Sequence, residues 1–583
     1  MGHVTGWAGW PAIGLAAALI AVPVAGGEFL GYQIALFVIY GIATQGVALC
    51  WGRLGFLPLG HALFFGIGAY LAGGLLKAGA EHPIWTLALL PALLLPALLA
   101  WGVARVVFAR SLRNGPYFSL ITLAMAMLGY LVAQQWNTVT GGFNGLGNIP
   151  ELPGFERFST LYWPIAAVAV LSTASLTVLM RRPIGVLWDA VAQNEDRMQF
   201  LGYATDRLKA DAYALSAFLA ALAGALFAAH QGIVTPQAMS FMLSTEFVIW
   251  AAVGGKASAL GAMLGAIVVG YASAELRDHF AGWEIFVGLM FILVVRFLPA
   301  GLAGLAARAP VTRASDAGRW SAEVQAPATR TARRVPALAF ERVGATVGGV
   351  NILNGMTLQL AGPGIRAVIG PNGAGKTSMF NALTGRLKVS EGRIRVGGAD
   401  VTGQSAWQVA RLGVGRKLQI PSVFHDLSVR QNLAIALWSG RLHGLAPLRR
   451  EPLDWTTGLR AEMLECFPEL AQQIEVPAGR LSQGHRQALE LAMTVLTEPH
   501  LLLLDEPCAG LSPAETHRMI QVIQRAVHRL GAGALLIEHD LAAVAALEGD
   551  VYVLHQGGLL AQGSLPEVQA NAAVRAVYAG ARK

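Results

Sequence analysis

Up to about Pro299 the chain is a succession of apolar segments, roughly at 11–26, 33–50, 54–77, 84–104, 116–136, 161–180, 212–230, 241–254, 259–275 and 284–298. No other feature constrains the fold as much. A backbone in hydrocarbon must satisfy its own N–H and C=O groups, so such segments are expected to be helices. Several approach the ~20 residues that cross ~30 Å of hydrocarbon. Others are short or interrupted by glycine, such as Leu54–Leu76 and the stretch before Gly254-Gly255. These are expected to be broken or re-entrant pieces, tolerated only where protein covers the backbone.

From Arg308 onward the pattern is that of a soluble protein. Averages over the 583 residues (54% hydrophobic, 13% charged) and a mean hydropathy of +0.51 therefore conceal two chemistries and at least two domains. The formal net charge is +8. Much of this excess falls in short loops between apolar segments and in a linker, which argues for membrane-flanking loops and against nucleic acid as a partner. The three cysteines (Cys50, Cys466 and Cys508) are far apart and suggest neither a disulfide framework nor a metal motif. The first apolar run lacks a basic region before it and is read as a retained helix rather than a cleaved signal.

Arg and Lys set the orientation. Arg105, Arg110 and Arg113 make one basic loop, and Arg181, Arg182, Arg197, Arg207 and Lys209 make another. Residues 137–160 carry only Arg157 against Glu151 and Glu156, and residues 231–245 carry no basic residue. The basic loops are expected in the cytoplasm and the others outside, so ten crossings would leave both ends of this half cytoplasmic. The loop 181–211 is the longest charged insertion. Its helical pattern through Asp189, Asn194-Glu195-Asp196-Arg197 and Leu201-Gly202 suits a segment that docks on an ATPase, or simply a solvated loop. Residues 301–336, with arginines 308, 313, 319, 330, 333 and 334 among Ala, Pro, Ser and Thr, read as a basic flexible linker.

The soluble half opens on nucleotide chemistry. Gly370-Pro371-Asn372-Gly373-Ala374-Gly375-Lys376-Thr377, followed by Ser378, fits the phosphate-loop pattern at every fixed position. The glycines let backbone N–H groups turn onto phosphate oxygens at a helix N-terminus. Lys376 would reach the β- and γ-phosphates of ATP, and the Thr377 hydroxyl would ligate Mg²⁺. Leu501-Leu502-Leu503-Leu504-Asp505-Glu506-Pro507 reads as a buried parallel strand ending in two carboxylates. Asp505 would hold Mg²⁺ through water, and Glu506 would act as general base on the attacking water. Ala534-Leu535-Leu536-Ile537-Glu538-His539-Asp540 is a second strand whose polar end puts His539 near the γ-phosphate and Glu506.

With Gln419 and Leu481-Ser482-Gln483-Gly484 between them, these motifs resemble an ATP-binding cassette domain over residues 337–583. That likeness implies that Gln419 senses Mg²⁺ and contacts a membrane domain. It also implies that Ser482, Gln483 and Gly484 complete the nucleotide site of an opposing cassette, and that Ala509-Gly510-Leu511-Ser512 links the two sites. Two departures stand out. His485 occupies a position that is usually Gln. Ala345-Thr346-Val347-Gly348-Gly349-Val350 also offers no aromatic ring where the family stacks adenine, a loss of ~1–3 kcal/mol by analogy with base stacking.

The first 300 residues resemble the permeases of the branched-chain amino acid and urea–amide uptake class. The likeness rests on Gly60-His61-Ala62, Phe65-Gly66-Ile67-Gly68-Ala69-Tyr70, Thr140-Gly141-Gly142-Phe143-Asn144-Gly145-Leu146, Ala220–Leu226 and Gly254-Gly255. Gly415–Gln419 and Val568–Val574 look more like the urea and amide version of the cassette. The fold expected is an all-α polytopic permease (1–300) followed by an α/β phosphate-loop ATPase (337–583). The resemblance implies a fused half of an importer in the cytoplasmic (inner) membrane, with the ATPase in the cytoplasm. It further implies a second permease and a second cassette, from other proteins or a second copy of this chain, and an extracytoplasmic solute-binding protein. An exporter half-transporter and a membrane-tethered regulatory ATPase are the alternatives.

Overall fold

The computed structural model describes residues 10–81, 88–110, 115–279, 282–298, 300–306, 324–328, 336–442, 444–449 and 454–580. The chain divides into two compact units, one of Met1–Ala192 with Asp206–Thr312 and one of Gln193–Thr205 with Arg313–Lys583.

The first unit is helical. Among the described residues seven helical runs are long and apolar enough to cross a membrane: Pro11–Arg53, Ala62–Ala80, Pro116–Gln135, Tyr162–Met180, Thr205–Gln231, Ala259–Arg277 and Ile285–Gly304. Leu94–Phe108 and Phe241–Gly254 are shorter. The first of these runs joins two helices across a kink, at the gap between the apolar segments 11–26 and 33–50. Trp10–Ala48 departs from helical geometry only at Gly27 (φ 76°, ψ 179°). A lone glycine makes the break between the two helices.

The expected broken element is present at residues 54–61, irregular and largely buried between Leu49–Arg53 and Ala62–Glu81. Its backbone groups find protein partners, as burial requires. Ser119 Oγ donates to the Leu57 carbonyl at 2.6 Å, Phe56 N–H to Cys50 O at 3.3 Å, and Ala62 N–H to Ser244 Oγ at 3.1 Å.

Side chains sort the loops by charge. Arg105 pairs with Asp206, and Arg53 with Asp189 at 2.8 Å, so the segments rich in Arg and Lys meet one another. The segments poor in them do likewise. Leu146 and Val234 exchange backbone hydrogen bonds at 2.8 and 3.0 Å, and Arg157 donates to the carbonyls of Ala229 and Ile149 at 2.9 and 2.8 Å. Residues 301–306, read above as linker, form a helix (Gly301–Ala306) that packs on Phe241–Gly254 and Ala259–His279. Its apolar Leu302 lies against the core of this unit, which the sequence reading overlooked. Most of the remaining linker expectation falls outside the described residues; Val324–Gln325 pairs with Trp455–Thr456.

The second unit is built on a six-stranded sheet. Its order is Gly558–Gly563, Asp550–His555, Gly364–Ile369, Gly533–Ile537, Leu501–Asp505, Val414–Lys417. Only the first pair is antiparallel. Leu501–Asp505 and Gly533–Ile537 are buried at every residue, which is why their sequences run apolar without alternation. An antiparallel sheet of Val350–Ala361, Ala337–Val347, Glu391–Val396 and Ala399–Asp400 lies beside it in one hydrophobic core. Gln193–Thr205 also belongs to this unit, so the expected boundaries omitted an insertion from the permease half. Its helix Glu195–Phe200 starts at Asn194, whose side chain accepts from Arg197 N–H at 2.9 Å.

Candidate active site

Three parallel strands deliver the candidate groups to one sheet edge. Gly364–Ile369 runs into Gly370–Gly375 and then into the helix Lys376–Leu383, which carries Thr377 and Ser378 on its first turn. Gly370 (φ 154°), Gly373 (80°) and Gly375 (97°) occupy backbone conformations closed to most other residues. A Cβ at Gly370 would strike the carbonyl oxygen of Leu554, whereas one at Gly373 would meet open space. Lys376 Nζ rests on the carbonyls of Gly370 and Pro371, at 2.8 and 3.1 Å. Burial lowers its pKa, and the carboxylates of Glu506 and Asp505 oppose that shift. An anion in the loop would compete for the same ammonium.

Asp505 ends its strand 1% exposed. Burial pushes its carboxyl up, against the nearby Arg416, and the Thr377 hydroxyl bonds to it. Its Oδ1 has no hydrogen-bond partner. A buried, unpaired carboxylate oxygen beside a hydroxyl is a donor set that fits Mg²⁺, a hard cation that prefers oxygen.

Glu506 follows at φ 46°, a left-handed conformation that costs a non-glycine residue about 1–2 kcal/mol. Its N–H is held by the Ile537 carbonyl at 2.9 Å. Both carboxylate oxygens are engaged: Oε2 accepts from Gln419 Nε2 at 2.9 Å, and Oε1 lies 2.9 Å from His539 Nε2. Glu538 turns the other way and accepts from the N–H groups of Cys508 and His539 at 3.0 and 3.3 Å, tying the two strand ends together.

Lys376, Thr377, Asp505, Glu506, Gln419 and His539 are therefore brought together. Ser482, Gln483 and Gly484 are not; no hydrogen bond among the described residues joins them to 370–378. Ser482 caps the helix Gln483–Val495 by accepting from His485 N–H at 3.2 Å. His485 Nδ1 lies 3.5 Å from Gln473 Nε2. Gln487 donates to the Ala509 carbonyl at 2.6 Å, linking this helix to residues 509–512. At the hairpin tip where an adenine-stacking ring was expected to be missing, Val347 and Val350 flank Gly348-Gly349 and are exposed.

The sequence reading missed a buried layer behind Gln419. Arg416 and Lys417 lie in a strand buried at every residue. Arg416 holds Thr384 Oγ1 at 2.5 Å and Asn381 Oδ1 at 2.8 Å, pinning the helix that follows the phosphate loop. Glu490 is fully buried; one oxygen accepts from Leu418 N–H at 3.1 Å and the other lies 3.7 Å from Lys417 Nζ. The available signal was a carboxylate within the apolar run Ala488-Leu489-Glu490-Leu491-Ala492.

Residues 29–295 match the family described as branched-chain amino acid transport system / permease component, and residues 353–509 match the ABC transporter family. A high-affinity branched-chain amino acid transport ATP-binding protein of Salmonella typhimurium, LivG, is 35% identical over 42% of this chain and 98% of its own length. The corresponding protein of Pseudomonas aeruginosa, BraF, is 34% identical over 40% of this chain and 93% of its own. The crystal structure of a nucleotide-free ATP-binding cassette from an ABC transporter covers 42% of this chain and 98% of that one, at 25% identity and a TM-score of 0.36. The chain belongs to the ATP-binding cassette transporters, and it joins in one polypeptide a permease of the branched-chain amino acid transport class and the ATPase that drives it.

Proposed function

We propose that the chain imports a branched-chain amino acid or a solute of similar size across the cytoplasmic (inner) membrane, as half of an assembly fed by an extracytoplasmic binding protein. One observation carries this reading: the permease match and a cassette related to branched-chain amino acid ATPases lie on the same chain. Urea or a short amide is the second reading, favoured by Gly415–Gln419 and the segment Val568–Val574. A second permease and a second cassette complete the assembly, and Ser482, Gln483 and Gly484 serve the nucleotide held by the opposing cassette. The working division is a permease at 1–300, a junction at 301–336 and a cassette at 337–583.

Bound Mg·ATP would supply the phosphoryl bond whose hydrolysis drives the cycle. Gly370–Ser378 cradle the phosphates, and Lys376 leaves its two carbonyls to meet the terminal ones. Thr377 and Asp505, with Gln419, hold the cation. Glu506 takes a proton from the attacking water once Gln419 releases its Oε2, and His539 keeps Oε1 oriented. The test is ATPase activity of the full chain in lipid nanodiscs, titrated with binding proteins loaded with leucine, urea or a short amide. Stimulation by one loaded protein identifies the solute class. Activity indifferent to all of them would favour an exporter or a regulatory ATPase.

A further inference from the structure

The buried broken element at 54–61 ends in His61, directly before the helix Ala62–Glu81. His61 is fully buried, yet neither ring nitrogen has a hydrogen-bond partner. Ser216, near the middle of the helix Thr205–Gln231, is equally buried, and its hydroxyl is also unpartnered. Both lean on Gly46 of the helix Trp10–Ala48. A Cβ there would fall 2.9 Å from His61 Nε2, 2.9 Å from Ser216 Oγ and 2.7 Å from the Ser216 carbonyl oxygen, so glycine is what lets the two approach one spot. Ala43 and Cys50, a turn away on either side, share this face. The Ala43 carbonyl lies beside His61 and the Cys50 thiol beside Ser216, neither in hydrogen-bond geometry. On the adjoining face Gln45 donates through Nε2 to Thr173 Oγ1 at 2.6 Å and the Ala259 carbonyl at 3.2 Å, which leaves its Oε1 without a partner.

Buried polar groups without partners are rare, and within a membrane span they mark the path of a solute or ion. Broken helices build such sites near the bilayer midplane. The groups themselves name the occupant. A neutral imidazole offers one donor and one acceptor, and a hydroxyl offers both. Among the described residues, no carboxylate, ammonium or guanidinium acts on His61 or on Cys50. A zwitterionic amino acid placed here would bury two charges with no opposite charge to meet them. A carboxamide or urea carries no charge, accepts through its carbonyl oxygen and donates through its N–H groups. Phe64 and Phe247, with ring centroids 6.4 and 6.2 Å from that of His61, supply an apolar wall beside it. A buried water, which makes about three hydrogen bonds, is the structural alternative.

We propose that His61 and Ser216 hold the polar end of the transported solute midway through the permease, and that this end is a carboxamide or urea group. The assignment rests on the import reading and selects the second of its two solute classes. It is tested on the full chain in nanodiscs by saturation-transfer difference NMR with propionamide, using urea and leucine as competitors. Spectra are taken without nucleotide and with a non-hydrolysable ATP analogue. Ser216→Ala and His61→Phe are compared with wild type, each normalised to the folded fraction by fluorescent-nucleotide stoichiometry.

Propionamide is expected to bind saturably in at least one nucleotide state and to be displaced by urea but not by leucine. Ser216→Ala is expected to weaken it about three- to ten-fold, the effect of one neutral hydrogen bond, and His61→Phe to weaken it further. No binding in either state, or equal binding by wild type and Ser216→Ala, overturns the proposal and leaves the cluster to a structural water. Displacement by leucine that also depends on Ser216 overturns the choice of solute. If His61→Phe does not fold, Ser216→Ala decides by the same readings. Uptake into proteoliposomes by the wild-type chain with its partners is measured separately. Absent uptake of every solute, with Ser216-dependent binding intact, would sink the import reading and leave the site standing.

Discussion

Glu506→Gln isolates the chemistry of the candidate site from its architecture. The backbone at 506 sits at φ 46°, and glutamine bears the same strain as glutamate there, so that cost cancels. Glu506 accepts from Gln419 through one oxygen and faces His539 through the other. Glutamine offers one acceptor and one donor. Its oxygen would keep the Gln419 bond while its NH₂ faces His539 Nε2, which becomes an acceptor in the other tautomer. Both contacts survive, and the change in stability should stay under about 1 kcal/mol. The proton acceptor is lost, however. General-base assistance is worth about 10²–10⁴ in rate, or roughly 2.7–5.4 kcal/mol of barrier. Single-turnover hydrolysis should therefore slow by that factor while the KM for ATP and the melting temperature hold, and ATP-bound protein should accumulate. A rate within ten-fold of wild type would show that Glu506 is not the base.

Other perturbations separate the structural roles. Gly370→Ala places a methyl group on the Leu554 carbonyl and should abolish nucleotide binding, whereas Gly373→Ala meets only the cost of its φ, about 1–2 kcal/mol; titration with a fluorescent nucleotide distinguishes them. Asn432 is fully buried, accepts from Phe424 N–H at 2.9 Å and donates to the carbonyls of Phe424, Leu427 and Ser428. Each of those carbonyls keeps a backbone donor, so Asn432→Leu orphans the Phe424 N–H alone and should lower the stability of the ATPase unit by about 1–3 kcal/mol in chemical denaturation. Burial pushes the Cys508 thiol up to about 12 from 9.0, with the neighbouring Glu538 adding to the shift. Maleimide at pH 8 should leave Cys508 unmodified until the protein unfolds. The folded state holds the proton more tightly, so this group's contribution to stability is complete below pH 9 and is lost as the pH rises from 9 through 12.

The parts of this molecule legible in its sequence are those that carry their own periodicity or fixed spacing. Apolar runs forced helices, and four leucines before Asp505 forced a buried parallel strand. Phosphate-loop glycines announced the backbone conformations found at Gly370, Gly373 and Gly375. What was not legible depends on contacts between residues hundreds of positions apart. Nothing near Arg197 indicates that its acceptors are Arg416, Glu490 and Thr494. The gap between the first two apolar segments also gave no hint that a single non-helical residue, Gly27, makes the break there. Residues 301–306 were assigned to a linker because six small and apolar residues give no period to read, and their packing alone reveals the helix.

The insertion at 193–205 also bears on how the protein is made. A ribosome synthesises Arg197 long before Glu490, 293 residues downstream. At about 5–20 residues per second, the segment waits roughly 15–60 s for the helix and strand that bury it. The cassette sheet cannot fold around it any sooner, because Val414–Lys417 and Leu501–Asp505 are also late in the chain. During that interval Phe200, Tyr203 and an unpaired arginine are exposed between two apolar helices, and completion of the ATPase is the event that shelters them. Truncated translation products ending before residue 490 should therefore be the ones that chaperones and proteases hold longest.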